Sequence, residues 1–330
     1  MYPWNRATWQ ALIDKLERLP QALLLHGRPG IGKFAVAERY AQFLLCEGEP
    51  GSEGPCGTCA GCRWFAIGNH PDYRRIEPES LAPLPEADEE RKSAKATKPS
   101  TEIKVDQVRE LADFLNIGSH RGRRRIVIVR PAEEMNTNAA NALLKALEEP
   151  PAAAMFILVS HRPQRLLATI RSRCVALPVG VPEGPPARQW LAAQGVADAE
   201  RWLAFCGGAP LSALEYAQGA GGSLILEMLR ALHDGDREAL LGLVRDRETL
   251  EVFAEVLQKY ALDKSLAALG TQPLFAALLT ETAKIGQVRG AAIDWLRFAR
   301  RMGRDRALAR HPLNPKLFAG EMLARLPEKA

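Results

Sequence analysis

Long apolar runs are missing from this sequence. No uninterrupted stretch approaches the roughly 20 residues that a membrane-spanning helix needs, and the opening Met1-Tyr2-Pro3-Trp4-Asn5-Arg6 lacks the apolar core of a signal peptide. A cytoplasmic chain without membrane contact is the expectation. A large charge excess is missing too: +5 over 330 residues permits contact with a polyanion without demanding it, so charge alone neither assigns nor excludes DNA. Cysteine is scarce and uneven. Of six, four lie between Cys46 and Cys62, while Cys174 and Cys206 stand apart; in a reducing compartment such clustering favours a metal over disulfides.

A further absence is a single hydroxyl. After the apolar run Ala22-Leu23-Leu24-Leu25, the segment Gly27-Arg28-Pro29-Gly30-Ile31-Gly32-Lys33-Phe34 carries the glycines and the lysine of the phosphate-binding motif G-x-x-x-x-G-K-[ST] and opens a helical pattern. The closing Ser or Thr, whose oxygen binds magnesium, is Phe34, and a hard cation gains nothing from a phenyl ring. The second half of such a metal site is an acidic pair at the end of an apolar strand. Here Ile126-Val127-Ile128-Val129 runs into Arg130-Pro131, so both metal-binding positions are lost and no catalytic magnesium is expected. Glu133 and Glu134 come three residues too late and read as the exposed start of the next helix. Gly27, Gly30, Gly32 and Lys33 therefore form a degenerate loop. Lys33 can still attract a phosphate of ATP or ADP as a point charge, and an unoccupied loop that merely packs is the equal alternative.

What is present organises the rest. Apolar residues make up 47% of the chain, ample for two or three folded domains. Thr8 to Leu19 has helical periodicity, a strand and the glycine loop follow, and a helix from about Ile31 to Leu45 runs into the cysteines. Residues 78–101, rich in Pro, Ala, Glu and Lys, read as a mobile insertion. Helical patterns at Ile103 to Leu115 and Asn136 to Glu149 alternate with buried strand patterns at Arg125 to Val129, Met155 to Ser160 and Cys174 to Leu177. That alternation predicts an α/β domain with a mainly parallel sheet covered on both sides, over residues 1–180. Beyond the proline-rich join at 179–186 only amphipathic helices follow. The glycine cluster at 219–222 divides a small helical domain, 181–221, from a larger one, 222–330.

Cys46, Cys56, Cys59 and Cys62 have spacings x9, x2 and x2, with Gly57 and Gly61 allowing tight turns. Four thiolates around zinc make a closed structural site with no open position for water, worth on the order of 10 kcal/mol of folding free energy. Iron-sulfur spacings differ, and a recognition helix of the finger type is absent. Arg121-Gly122-Arg123-Arg124-Arg125 reads as a solvated strand entrance rather than a DNA contact, since no aromatic residue is interleaved for base stacking. His70 and Asp72 lack an accompanying nucleophile or second base and read as a structural turn.

Asn141-Ala142-Leu143-Leu144-Lys145-Ala146-Leu147-Glu148-Glu149-Pro150-Pro151 and Arg165-Leu166-Leu167-Ala168-Thr169-Ile170-Arg171-Ser172-Arg173-Cys174 closely resemble signature segments of bacterial clamp-loader subunits of the AAA+ class. Tyr2-Pro3-Trp4, the cysteine cluster, His70-Pro71-Asp72-Tyr73 and the failed nucleotide site resemble the delta-prime family within that class. The likeness is dense through Leu177 and only architectural afterwards. It implies an AAA+ (RecA-like) domain with a zinc-binding insertion, a helical lid (181–221) and an all-α collar (222–330) that closes a pentameric ring with gamma/tau motor subunits and a clamp-opening delta subunit. The ring would load a sliding clamp onto primed DNA as part of the DNA-directed DNA polymerase III holoenzyme.

The resemblance also implies a role for Ser172-Arg173-Cys174. In such rings the arginine of this motif reaches into the ATP site of the adjacent subunit as a trans-acting finger, worth roughly 10³ in rate; here the donor is Arg173. Ser160 aligns with a first sensor position, where a local hydrogen bond is its expected role. Related motors carry a sensor arginine at the start of a lid helix, whereas this chain has Gly208-Ala209-Pro210-Leu211. The leading expectation is a non-hydrolysing ring subunit. Its rivals are a motor subunit that hydrolyses its own ATP with unusual ligands and, more weakly, an independent zinc-dependent DNA-binding protein.

Overall fold

A computed structural model describes the chain except for residues 17–18, 50, 52–53, 83–98, 117–123, 152, 276–277, 279–290, 310, 312 and 328–330. The chain divides into two compact units, Met1–Pro182 and Glu183–Ala330.

The first unit runs α1 (Arg6–Ile13), β1 (Ala22–His26), α2 (Lys33–Leu45), α3 (Ala60–Ala66), β2 (Tyr73–Ile76), α4 (Val105–Asn116), β3 (Arg125–Val129), α5 (Thr137–Glu148), β4 (Ala154–Ser160), α6 (Ala168–Arg173) and β5 (Val175–Pro178). The strands form one sheet in the order β2-β3-β4-β1-β5, parallel throughout, with Leu24 opposite Leu158 on one side and Ala176 on the other. The β-branched and apolar runs of β3 and β4 are buried along their whole length, as strands covered on both faces must be. β5, at the sheet edge, is largely exposed. One hydrophobic cluster joins Leu24, Val127, Phe156 and Leu158 to Leu111 of α4, Leu143 of α5 and Ile170 of α6.

Helix boundaries follow local chemistry. The first helix, expected to reach Leu19, ends at Ile13 with Asp14 as its C-cap. α2 starts at Lys33 rather than near Ile31 because Gly32, at φ +87°, lies in the left-handed region. α5 begins where the Asn136 side chain accepts the Ala139 N–H at 2.8 Å and stops before Pro150-Pro151. Most of the expected mobile insertion lies outside the described residues. Its flanks meet: the Ser80 N–H donates to the Ser100 carbonyl at 3.0 Å and Lys104 pairs with Glu79 at 2.7 Å.

The second unit is helical among the described residues: α7 (Gly184–Ala193), α8 (Ala199–Phe205), α9 (Pro210–Gln218), α10 (Ala220–Asp234), α11 (Arg237–Gly242), α12 (Arg247–Ala268), α13 (Ala292–Leu308) and α14 (Pro315–Ala324). One core containing Phe205, Phe253 and Trp295 runs through it. The long α12 opens on a capping box between Asp246 and Thr249. Among the described residues no helix is long and apolar enough to cross a membrane.

His70 and Asp72 form a structural turn: the Asp72 N–H donates to His70 Nδ1 at 3.1 Å, and the Asp72 carboxylate sits 3.5 Å from Arg125 Nε. Within the expected solvated arginine run, residues 121–123 lie outside the described residues. Arg125 departs from that expectation, being buried beside Asp72 with its guanidinium 4.7 Å from the Phe114 ring centroid. Its position as the first residue of a fully buried strand carries the charge inward onto Asp72. Asp72→Ala should therefore cost about 3 kcal/mol by stranding a buried cation. Adding Arg125→Met should recover much of the loss, as read by thermal unfolding of both variants.

Candidate functional site

The glycine loop links β1 to α2. The Gly27 N–H donates to the Ser160 carbonyl at 3.3 Å, which ties the start of the loop to the end of β4. Lys33 is buried at 2% exposure, and its ammonium donates back to the Arg28 carbonyl at 2.5 Å. Burial lowers its pKa to about 8, partly opposed by Glu133. The amino-terminal segment covers the loop from outside: Trp4 Nε1 donates to the Ile31 carbonyl at 3.0 Å and Asn5 Nδ2 to the Gly32 carbonyl at 3.4 Å. Tyr2 stacks on Trp4, with ring centroids 5.0 Å apart. Nothing in the periodicity of residues 2–5 signals this cover.

The two positions without metal-binding side chains touch each other. The Arg130 guanidinium carbon lies 3.6 Å from the centroid of the Phe34 ring, a cation–π contact. Arg130 Nε and Nη2 each approach Glu77 Oε2 at 2.6 Å. The other Glu77 oxygen takes Arg75 Nε at 2.9 Å, and Arg75 reaches Glu38 at 3.3 Å. A protein cation with its own carboxylate therefore lies against the ring that replaces the magnesium-binding hydroxyl. Sequence reading missed Glu77, which lies 53 residues from Arg130.

Glu133 is not the exposed residue expected. It belongs to a short 3₁₀ turn, Ala132–Glu134, and its Oε1 accepts the His161 and Arg162 N–H groups at 2.9 and 3.1 Å. The carboxylate thus holds the chain leaving β4. Ser160 has the local role expected of it, its hydroxyl oxygen accepting the Arg162 N–H at 3.1 Å. His161, which sequence reading passed over, lies in this polar cluster. Burial first, and the Lys33 charge second, hold its imidazole down at about 4.

Arg173 is the last residue of α6, whose Ile170 is fully buried. Its Nη1 donates to the Thr169 carbonyl at 3.0 Å and its Nη2 meets Glu148 Oε1 of α5 at 2.8 Å. Ser172 Oγ donates to the same Thr169 carbonyl at 3.0 Å. Burial pushes the Cys174 thiol up to about 11. Leu211 is the second residue of α9, in the other unit.

The sulfurs of Cys46, Cys56, Cys59 and Cys62 all lie within 4.8 Å of one another. A tetrahedral zinc with Zn–S of about 2.3 Å requires sulfurs about 3.8 Å apart, and Cys46 and Cys59 are at 3.9 Å. Backbone N–H groups of Glu47, Cys56, Cys59 and Cys62 point at cluster sulfurs from 3.3 to 3.4 Å, which favours thiolates. The Cys59 side chain also caps α3. The donor set and its spacing fit zinc, as the sequence pattern implied.

The parallel sheet in the order β2-β3-β4-β1-β5, with a glycine loop after β1, defines an AAA+ class domain. The family model described as "DNA polymerase III, delta subunit" matches residues 4–181. The delta' subunit of Pseudomonas aeruginosa is 42% identical over 217 residues, 64% of this chain and 60% of that protein. That of Escherichia coli K12 is 33% identical over 256 residues, 75% and 71% of the two chains. The tau subunit of Salmonella typhimurium LT2 is 32% identical over 160 residues, 48% and 22% of the two. The chain belongs to the delta' family of DNA polymerase III subunits, and the similarity spans 60% of the length of the P. aeruginosa relative. A solved gamma subunit-related protein of Thermotoga maritima is similar at a TM-score of 0.42 and 21% identity, over 98% of this chain and 100% of that one.

His161 carries a pH signature. The unfolded chain takes up a proton near pH 6.5 that the folded chain refuses until about 4, so this contribution is complete above pH 6.5 and is lost as pH falls through that window. We expect His161→Gln to remove about 2–3 kcal/mol of the acid sensitivity between pH 7 and 4. Parallel denaturant titrations of the two proteins check the difference.

Proposed function

We propose that this chain is an ATPase-inactive stator of the DNA polymerase III clamp loader, lending Arg173 in trans to the ATP site of a neighbouring motor subunit. The observation that carries the reading is the Arg130 guanidinium against Phe34 with Glu77 closing its charge. A divalent ion there would have to displace a paired guanidinium and would gain no oxygen ligand from the ring. Metal-assisted phosphoryl transfer depends on that ion, so catalysis is absent on this side of the loop. Arg173, by contrast, is partly exposed at the end of a helix anchored by buried Ile170, where a planar, permanently charged fork suits a phosphate on another protein.

The family supports the assembly: a cytoplasmic hetero-pentameric ring with gamma/tau motors and the delta subunit, acting on a sliding clamp and primed DNA, with residues 181–221 as lid and 222–330 as collar. Ser172 and Cys174 shape the turn around the finger, and Cys46, Cys56, Cys59 and Cys62 hold a structural zinc that lends stability but takes no part in chemistry. Gly27, Gly30, Gly32 and Lys33 favour the rival reading of a motor that hydrolyses its own ATP, since the phosphate-facing half of the loop is intact.

The isolated chain should show no magnesium-dependent phosphate release; turnover that disappears on Lys33→Ala would establish the rival instead. In the reconstituted ring Arg173→Ala should leave assembly intact and slow single-turnover hydrolysis at the site it completes by roughly 10³; undiminished hydrolysis and clamp loading would remove the trans role. Elemental analysis should give one zinc per chain, abolished by Cys59→Ser together with a lower melting temperature. Acid should release the metal, because protons compete with it for the thiolates.

A further inference from the structure

We propose that Glu148 is a positioning residue for Arg173, fixing the plane in which the guanidinium leaves this subunit; the inference rests on the trans-finger reading above. α5 ends at Glu148 because Pro150-Pro151 cannot continue the helix. Leu147, one residue earlier, shares a hydrophobic cluster with Ile170 of α6. The end of α5 and the helix bearing the finger are thereby locked together, and the carboxylate is delivered to the rim where α6 stops.

An arginine at the end of a six-residue helix would otherwise sample many rotamers. Here Nη1 is held by the Thr169 carbonyl at 3.0 Å and Nη2 by Glu148 Oε1 at 2.8 Å. Two fixed points on one planar group set its orientation, while the remaining guanidinium donors stay available to an outside anion. The Thr169 contact is local to α6 and cannot orient the fork by itself. The Glu148 contact comes from another helix and supplies the second reference. Both side chains remain partly exposed, at 37% for Arg173 and 45% for Glu148, so the pair contributes little to stability. Its contribution is geometric, and a reacting group displaced by an ångström loses much of its effect.

The test uses the full chain reconstituted with motor and clamp-opening subunits, reading steady-state ATPase at the completed site. Glu148→Ala should lower kcat roughly fivefold, the weight of an exposed pair, with KM for ATP unchanged. Glu148→Gln keeps an acceptor oxygen and should fall between the two. In an Arg173→Ala background Glu148→Ala should have no further effect, as expected for residues acting as a unit. A fall of equal size in that background, or a fall in KM-dependent binding alone, would mark a merely structural role and overturn the inference. Full turnover with Glu148→Ala beside a loss with Arg173→Ala would also overturn it while leaving the finger intact. No loss with Arg173→Ala would remove the finger itself.

Discussion

The contact between the Arg130 guanidinium and the Phe34 ring, closed by Glu77, is the constraint on which the functional reading depends. Phe34 alone would remove one ligand from a magnesium site, and Arg130 alone would remove another. Together they make a favourable contact: the cation lies on the ring face at 3.6 Å and is paired with a carboxylate at 2.6 Å. Glu77 is also paired with Arg75, so the arrangement is a network of two arginines on one buried acid. Admitting a metal would take Arg130 from the buried Glu77, at a cost on the order of a few kcal/mol. The two substituted positions are thus joined in a charge-paired contact, beyond the mere loss of a hydroxyl.

The sheet makes this network possible. Arg130 follows the last residue of β3 and Glu77 the last residue of β2, and the two strands are parallel neighbours with Ile76 opposite Val129. Parallel pairing in that register brings both side chains to the same end of the sheet, where α2 presents Phe34 from its first turn. The same end receives Ser160 and His161 from β4, so Glu133 can hold the exit of that strand while Lys33 turns onto its own loop. Arg173 lies elsewhere, at the end of α6 and against α5. Its partners, Thr169 and Glu148, are distinct from those of Arg130.

Short-range features were legible in the sequence. The glycine loop, the missing acid after β3, the cysteine spacings and the strand–helix alternation are patterns within a few residues, and each corresponds to an element or cluster in the structure. Partners far apart in sequence were not legible. Glu77 has no motif, and only strand pairing brings it to Arg130. Glu133 was misread because counting residues from the expected acid ignored the 3₁₀ turn that swings it toward His161. Arg125 was grouped with its arginine neighbours on composition, although its place at the head of a fully buried strand sends it to Asp72. The many helices after residue 183 were readable from periodicity, but how their faces pair to bury Trp295 and Phe253 was not.

An intact glycine loop is weak evidence for a bound phosphate in this protein, because packing demands the same glycines. A Cβ at Gly27 would come 2.4 Å from the Val179 carbonyl oxygen, where the chain leaves β5. At Gly32 it would come 2.6 Å from both Asn5 and Tyr2, the residues that cover the loop, and Gly32 also has the positive φ that starts α2. Either substitution forces backbone or buried side chains apart. Lys33 has a similar non-nucleotide explanation, since its ammonium is satisfied by the Arg28 carbonyl inside the loop. The phosphate-binding pattern is therefore accounted for by the architecture of the fold, whereas Phe34 and Arg130 are accounted for by each other. The contact between Phe34 and Arg130, and not the glycine motif, is therefore what supports the proposed role of a subunit that completes a neighbour's site.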